Sequence, residues 1–118
     1  MNNNIGSYGE TKACEYLINN GYKVLHRNFS FKRKEIDIIA QTDQLLIAVE
    51  VKTRSQNTLI EPWKAVNKRK QQNIIEAMNA YVKEFQKDLS VRFDVISIVI
   101  KEDKCVFNHI KDAFYPTF

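Results

Sequence analysis

Two short stretches of the chain carry charge inside otherwise apolar sequence. One reads Glu35-Ile36-Asp37-Ile38-Ile39, the other Ile47-Ala48-Val49-Glu50-Val51-Lys52. A charge inside a buried strand is costly unless it is paired or binds a metal, so the question is whether these charges meet. Side chains alternate across a strand, which puts Glu35 with Asp37 and Glu50 with Lys52. A hairpin turning between Asp43 and Gln44 sets Asp37 opposite Glu50 and Glu35 opposite Lys52. Directly opposed Cβ atoms lie roughly 5 Å apart. A slip of one residue would send one pair to the other face. The register is therefore inferred from the charge pattern, because an Asp-Gln turn specifies it only weakly.

Three carboxylates and an ammonium in one patch have a definite chemistry. Adjacent carboxylates repel, and one takes up a proton unless a cation lies between them. Mg²⁺ suits such a site, since it takes a few carboxylate oxygens and keeps several waters. It lowers the pKa of a bound water and neutralises charge on a phosphoryl oxygen. A nearby lysine can orient the attacking water or stabilise charge on the phosphorus. Together these groups are equipped to hydrolyse a phosphodiester. The competing reading is an ion-pair ladder on a solvated strand face, which contributes little. The apolar run from Ile47 to Val49 argues against full solvation.

The surrounding pattern predicts the elements that hold these residues. Residues 6–20 read as a helix, with Ala13/Leu17 and Cys14/Ile18 as i,i+4 pairs on one face and Gly21 as its stop. Tyr22 to Phe29 reads as a strand leading into the basic turn Lys32-Arg33-Lys34. Glu35 to Gln41 and Leu45 to Lys52 form the hairpin, and Thr53 to Pro62 reads as irregular. A long helix is expected to start near Pro62, burying Val66, Ile74, Ala77, Met78, Tyr81, Val82 and Phe85. Val91 to Ile100 reads as a strand buried on both faces. Cys105 to His109 reads as a short edge strand. The order αβββαβ(β) implies an α/β fold, a mixed sheet flanked by helices, in a single domain spanning 1–118.

Asp37 followed by Glu50-Val51-Lys52 resembles the PD-(D/E)xK nuclease signature. Gly9, Glu10, Ala13, Tyr16, Leu17, Gly21, Tyr22, Leu25, Arg27, Asn28, Glu35 to Asp37, Val49 to Lys52, Arg54, Ala65, Val66, Lys70, Arg92 to Val95, His109, Ala113 and Phe114 follow the order found in the YraN-like (UPF0102) family. The resemblance runs from about Gly6 to Phe114. It implies a restriction-endonuclease-like fold related to archaeal Holliday-junction resolvases, and a Mg²⁺- or Mn²⁺-dependent endonuclease acting on DNA, branched or junction DNA included. Carried over, Asp37 and Glu50 are metal ligands, Lys52 is the catalytic lysine and Glu10 is the acid brought to the metal from the first helix. Glu35 matches an extra carboxylate, and Lys70 a basic position near the site. The family usually has Gly before its Glu-Ile-Asp stretch, where this chain has Lys34. Resolvase relatives act as dimers, so a homodimer is an expectation too, although no interface is legible in the residues.

Other readings stay beside these. Glu10 in a helix's first turn also favours the helix dipole. Lys64, Lys68, Arg69 and Lys70 form either a solvated face or, with Lys32, Arg33, Lys34, Lys52 and Arg54, a basic ring contacting phosphates. Such contacts carry no sequence information, so they imply selectivity for structure. Trp63 stacks on a base or packs in the core. Arg92 and Asp94 read as a structural pair, and His26 and His109 as structural. A non-catalytic nucleic-acid-binding module on the same fold is the alternative function.

Composition narrows the field. Eighteen basic and fourteen acidic residues give +4, which permits a polyanionic partner without requiring one. The chain lacks the unbroken apolar run of a membrane span, and Met1 to Asn4 lacks the apolar stretch of a secretory signal. Cys14 and Cys105 cannot build a disulfide framework, so a cytoplasmic location is expected. No Gly-rich phosphate loop, Gly-x-Ser-x-Gly elbow or Cys/His zinc pattern is present.

Overall fold

The computed structural model describes residues 5–55 and 66–116. Helix α1 (Ile5–Asn19) is followed by strands β1 (Lys23–Phe31), β2 (Lys34–Thr42) and β3 (Leu45–Ser55), helix α2 (Lys68–Glu84) and strands β4 (Ser90–Lys101) and β5 (Lys104–Phe114). The strands form one sheet in the order β1-β2-β3-β4-β5. Only β3 and β4 run parallel, the pair joined through α2, and the other neighbours are antiparallel. This is the α/β order expected from the sequence. β5 is longer than the short edge strand expected, and β3 continues through Thr53-Arg54-Ser55.

A separate core covers each sheet face. Ala13, Cys14 and Leu17 of α1 pack on Ile38, Ala40, Ile47, Val49, Ile96 and Ile98. Ile74, Ile75, Ala77, Met78 and Tyr81 of α2 pack with Ile36, Ile39, Leu46, Ala48, Phe93 and Val95. Central strands buried on both faces need the near-continuous apolar runs that β2, β3 and β4 carry. Ile18, expected beside Cys14, is 58% exposed instead. Phe85 of the expected α2 stripe is also exposed.

The ends of the helices follow local chemistry. Gly21 takes φ +88 after α1, while Tyr22 N donates to Leu17 O and Gly21 N to Ile18 O. That is a Schellman cap, which favours glycine in the left-handed position. Helix α2 begins at Lys68, with Asn67 as N-cap accepting from Lys70 N at 2.8 Å. The start expected near Pro62 lies outside the described residues, as do Trp63, Lys64 and Ala65.

Two features of the sheet position the charges. The β2–β3 ladder runs from Thr42↔Leu45 to Ile38↔Val49, the register expected from the charge pattern, and then stops. Beyond it Val51 N donates to Asp37 Oδ2 at 2.8 Å, so a side chain replaces the ladder partner and the strands fork. The pleat also breaks there. Ile38 packs on the α1 side and Ile36 on the α2 side, although residues two apart should share a face. Across the β1–β2 ladder, between the pairs Arg27↔Ile38 and Phe29↔Ile36, Asn28 has φ +56. Ile36 and Ile38 therefore do not share the face that strict alternation would give them.

Candidate active site

The fork brings Asp37 and Glu50 together. Glu50 is only 3% exposed. Its Oε2 pairs with Lys52 Nζ at 3.3 Å and Lys70 Nζ at 3.2 Å. Its Oε1 is buried with no hydrogen-bond partner among the described residues. Glu50 and Lys52 share a face because β3 keeps its alternation. Lys70 reaches the same oxygen from the first turn of α2, where Asn67 caps its backbone N–H.

Electrostatics at this point are crowded. Burial, and then the Glu50 charge, push the Asp37 carboxyl up to about 7, against the hydrogen bond from Val51 N. Burial works to lower the Lys70 ammonium, but the Glu50 carboxylate outweighs it and the net shift is upward. Two acids held this close prefer to share a proton or a cation, and an orphaned buried carboxylate oxygen calls for a cationic partner.

Glu10 comes to the neighbourhood from α1. The helix can approach β3 because residue 9 is glycine, whose missing Cβ would overlap the Thr53 hydroxyl. Glu10 Oε1 lies 3.8 Å from Arg27 NH2. Burial raises its pKa, the Asn28 side-chain hydrogen bond and Arg27 oppose this, and Glu35 and Glu50 add to it. Glu10 thus belongs to the same field while turning toward Arg27. Glu35 is exposed, and its charge is felt at both Glu10 and Lys70. Among the described residues no group of three His, Cys, Asp or Glu side chains is arranged to hold a metal ion. Asp37 and Glu50 are the pair brought into one another's field most directly.

Of the basic ring expected, Lys52 and Lys70 meet at Glu50. Lys34 Nζ pairs with Glu76 on α2 at 3.3 Å. The left-handed conformation in the β1–β2 turn falls on Lys32 and Arg33 and not on Lys34, so position 34 does not require glycine. Arg54 NH1 donates to Thr53 O. Lys68 is exposed at the start of α2. Lys64 lies outside the described residues. Sequence reasoning passed over Asn28 as a contributor to the site. Its signal was residue type, since Asn adopts positive φ more readily than most residues.

A second buried carboxylate lies on the neighbouring strand. Asp94, opposite Val49 in the β3–β4 ladder, is fully buried. Its Oδ1 accepts from Arg92 Nε at 2.9 Å and Asp112 N at 3.0 Å. Its Oδ2 accepts from Arg92 NH2 at 2.8 Å and lies 2.7 Å from His109 Nε2. Arg92 NH2 also reaches the Tyr22 hydroxyl, and His109 Nδ1 that of Tyr16. Burial alone would raise Asp94, but the hydrogen bonds from His109, Arg92 and Asp112 N hold it below the ordinary carboxylate value. Arg92 and Asp94 form the structural pair expected. His109, expected to be structural, reaches Asp94 from the adjoining strand β5.

A family model described as "Uncharacterised protein family UPF0102" matches residues 9–98. A UPF0102 protein of Parabacteroides distasonis is 46% identical over 113 residues, covering 96% of this chain and 93% of the relative. One from Phocaeicola vulgatus is 42% identical, covering 97% and 94%. One from Flavobacterium johnsoniae is 41% identical, covering 96% and 95%. No helix among the described residues is long and apolar enough to cross a membrane.

Proposed function

The chain belongs to the UPF0102 family, and from that premise we propose that it is a metal-dependent endonuclease hydrolysing phosphodiester bonds in DNA, with branched or junction DNA as the favoured substrate. One observation carries this reading: the buried Glu50 Oε1, without a hydrogen-bond partner among the described residues, beside an Asp37 whose carboxyl is raised by burial and then by the Glu50 charge. That donor set fits a hard divalent cation such as Mg²⁺ or Mn²⁺, held by Asp37 and Glu50 with waters and substrate oxygens completing its shell. When bound, such an ion acidifies a water and neutralises developing charge on a phosphoryl oxygen. Lys52, held on Glu50 Oε2, orients the nucleophile or stabilises charge on the phosphorus. Glu10 adds negative field from α1, and the exposed Lys68 and half-buried Arg54 offer phosphate contacts along the backbone.

The test is a cleavage screen with Mn²⁺ over linear, flapped and four-way DNA. Nicking that disappears in Asp37→Asn and in Lys52→Ala, with both variants folded, is the expected result. Nicking that survives both changes overturns the assignment. A non-catalytic nucleic-acid-binding module draws support from the lack of a three-ligand group among the described residues. Salt-dependent DNA binding with no cleavage at any divalent concentration would favour that reading.

A further inference from the structure

Resting on the proposed metal-dependent reading, the geometry points to Lys70 as a tethered counter-cation that competes with the divalent ion for Glu50 and gives way when a phosphodiester arrives. Glu50 Oε2 carries two ammonium groups, at 3.3 Å from Lys52 and 3.2 Å from Lys70, where one would balance its charge. The two lysines are not equivalent. Lys52 extends from a central strand with its side chain 20% exposed, whereas the Lys70 side chain is 43% exposed. Its four-carbon stem can turn outward without moving the helix, because the cap at Asn67 holds its backbone and not its side chain.

Charge decides the order of events. With Asp37 and Glu50 ionised, the two lysines already balance the two acids that would hold the ion, so a divalent ion adds a charge of +2 beside Lys70 that the more distant Glu10 and Glu35 offset only in part. A phosphodiester anion at the same point removes part of that excess and offers Lys70 a new partner at the N-terminal end of α2, where anions are favoured. Lys70 therefore makes cation binding weak alone and stronger with substrate. This is a coupling between two ligands that must be reciprocal. Its role is positioning, exercised through Glu50.

The test is calorimetric titration of Mn²⁺ into the wild-type chain, Lys70→Gln, Lys70→Arg and Lys83→Gln, each with and without dimethyl phosphate. Lys83, in the last turn of α2, controls for the loss of one positive charge about 20 Å along the helix. Lys70→Gln is expected to bind Mn²⁺ alone about tenfold more tightly, to lose most of the enhancement by dimethyl phosphate, and yet to cleave DNA more slowly. Lys70→Arg and Lys83→Gln are expected to stay near wild type in cation affinity. Binding first detectable in Lys70→Gln also supports the competition. Unchanged Mn²⁺ affinity in Lys70→Gln, beside measurable wild-type binding, overturns this role and leaves the proposed nuclease intact. Absence of binding in all four proteins, with or without the diester, overturns both.

Discussion

Asp37 and Asp94 sit on strands that flank β3, yet they are treated in opposite ways. Asp94 meets four donors from Arg92, His109 and the Asp112 backbone, which matches the capacity of a carboxylate. Asp37 meets one backbone N–H and a second carboxylate. The first environment holds its acid ionised and the second holds its acid back. A fully satisfied buried network specifies and stiffens a core, whereas a partly satisfied one stores unfavourable electrostatics. Perturbed carboxyls of the second kind gather where chemistry is done.

The largest expected effect separates the two regions by activity. Asp37→Asn should lower Mn²⁺-dependent cleavage by about a thousandfold or more, from loss of a ligand to the metal, while the thermal midpoint measured without metal stays level or rises. Next comes Asp94→Ala, which strands the Arg92 guanidinium and should cost about 3–5 kcal/mol in denaturant unfolding. If Asp94→Ala were harmless to stability, the contrast would collapse. Gly9→Ala tests how the regions are joined. Its Cβ has to displace α1 from Thr53, costing about 1–3 kcal/mol and withdrawing Glu10, so cleavage and stability should fall together.

Titration should show opposite signs. Asp37 is raised from 3.8 to about 7, so the folded state holds a proton that the unfolded chain has lost. Its contribution to stability is present below about pH 4 and disappears as pH rises through 7. Asp94 is lowered, so its contribution is present above the ordinary carboxylate value and is lost as pH falls through the folded value. Mn²⁺ should therefore raise the melting temperature more at pH 8 than at pH 5.5, and Asp37→Asn should flatten that difference. The smallest effect belongs to the half-exposed Lys34–Glu76 pair. Lys34→Ala should change unfolding free energy by at most about 1 kcal/mol.

Much of this was legible in local pattern. Period-two and period-3.6 apolar spacing encode which segments pair and which pack, so element order, the β2–β3 register and the Arg92–Asp94 pair could be read before any coordinates. The charge pattern also pointed to the register that ends at Ile38↔Val49, one residue short of Asp37 and Glu50. The break in alternation at Asp37 was not legible. It lies across from Asn28 of the neighbouring strand β1, whose φ is positive, and β2's own spacing carries no sign of it.

The sequence by itself determined the inventory: two acids and a lysine on adjoining strands, and a second acid with an arginine two residues away. Only the tertiary structure decided who joins them. Lys70 meets Glu50, His109 meets Asp94, and Gly9 meets Thr53 across chain separations that no periodicity spans. Those meetings depend on the parallel β3–β4 register and on how each helix lies over its face of the sheet. Long-range packing sets both, and local preferences of the chain do not.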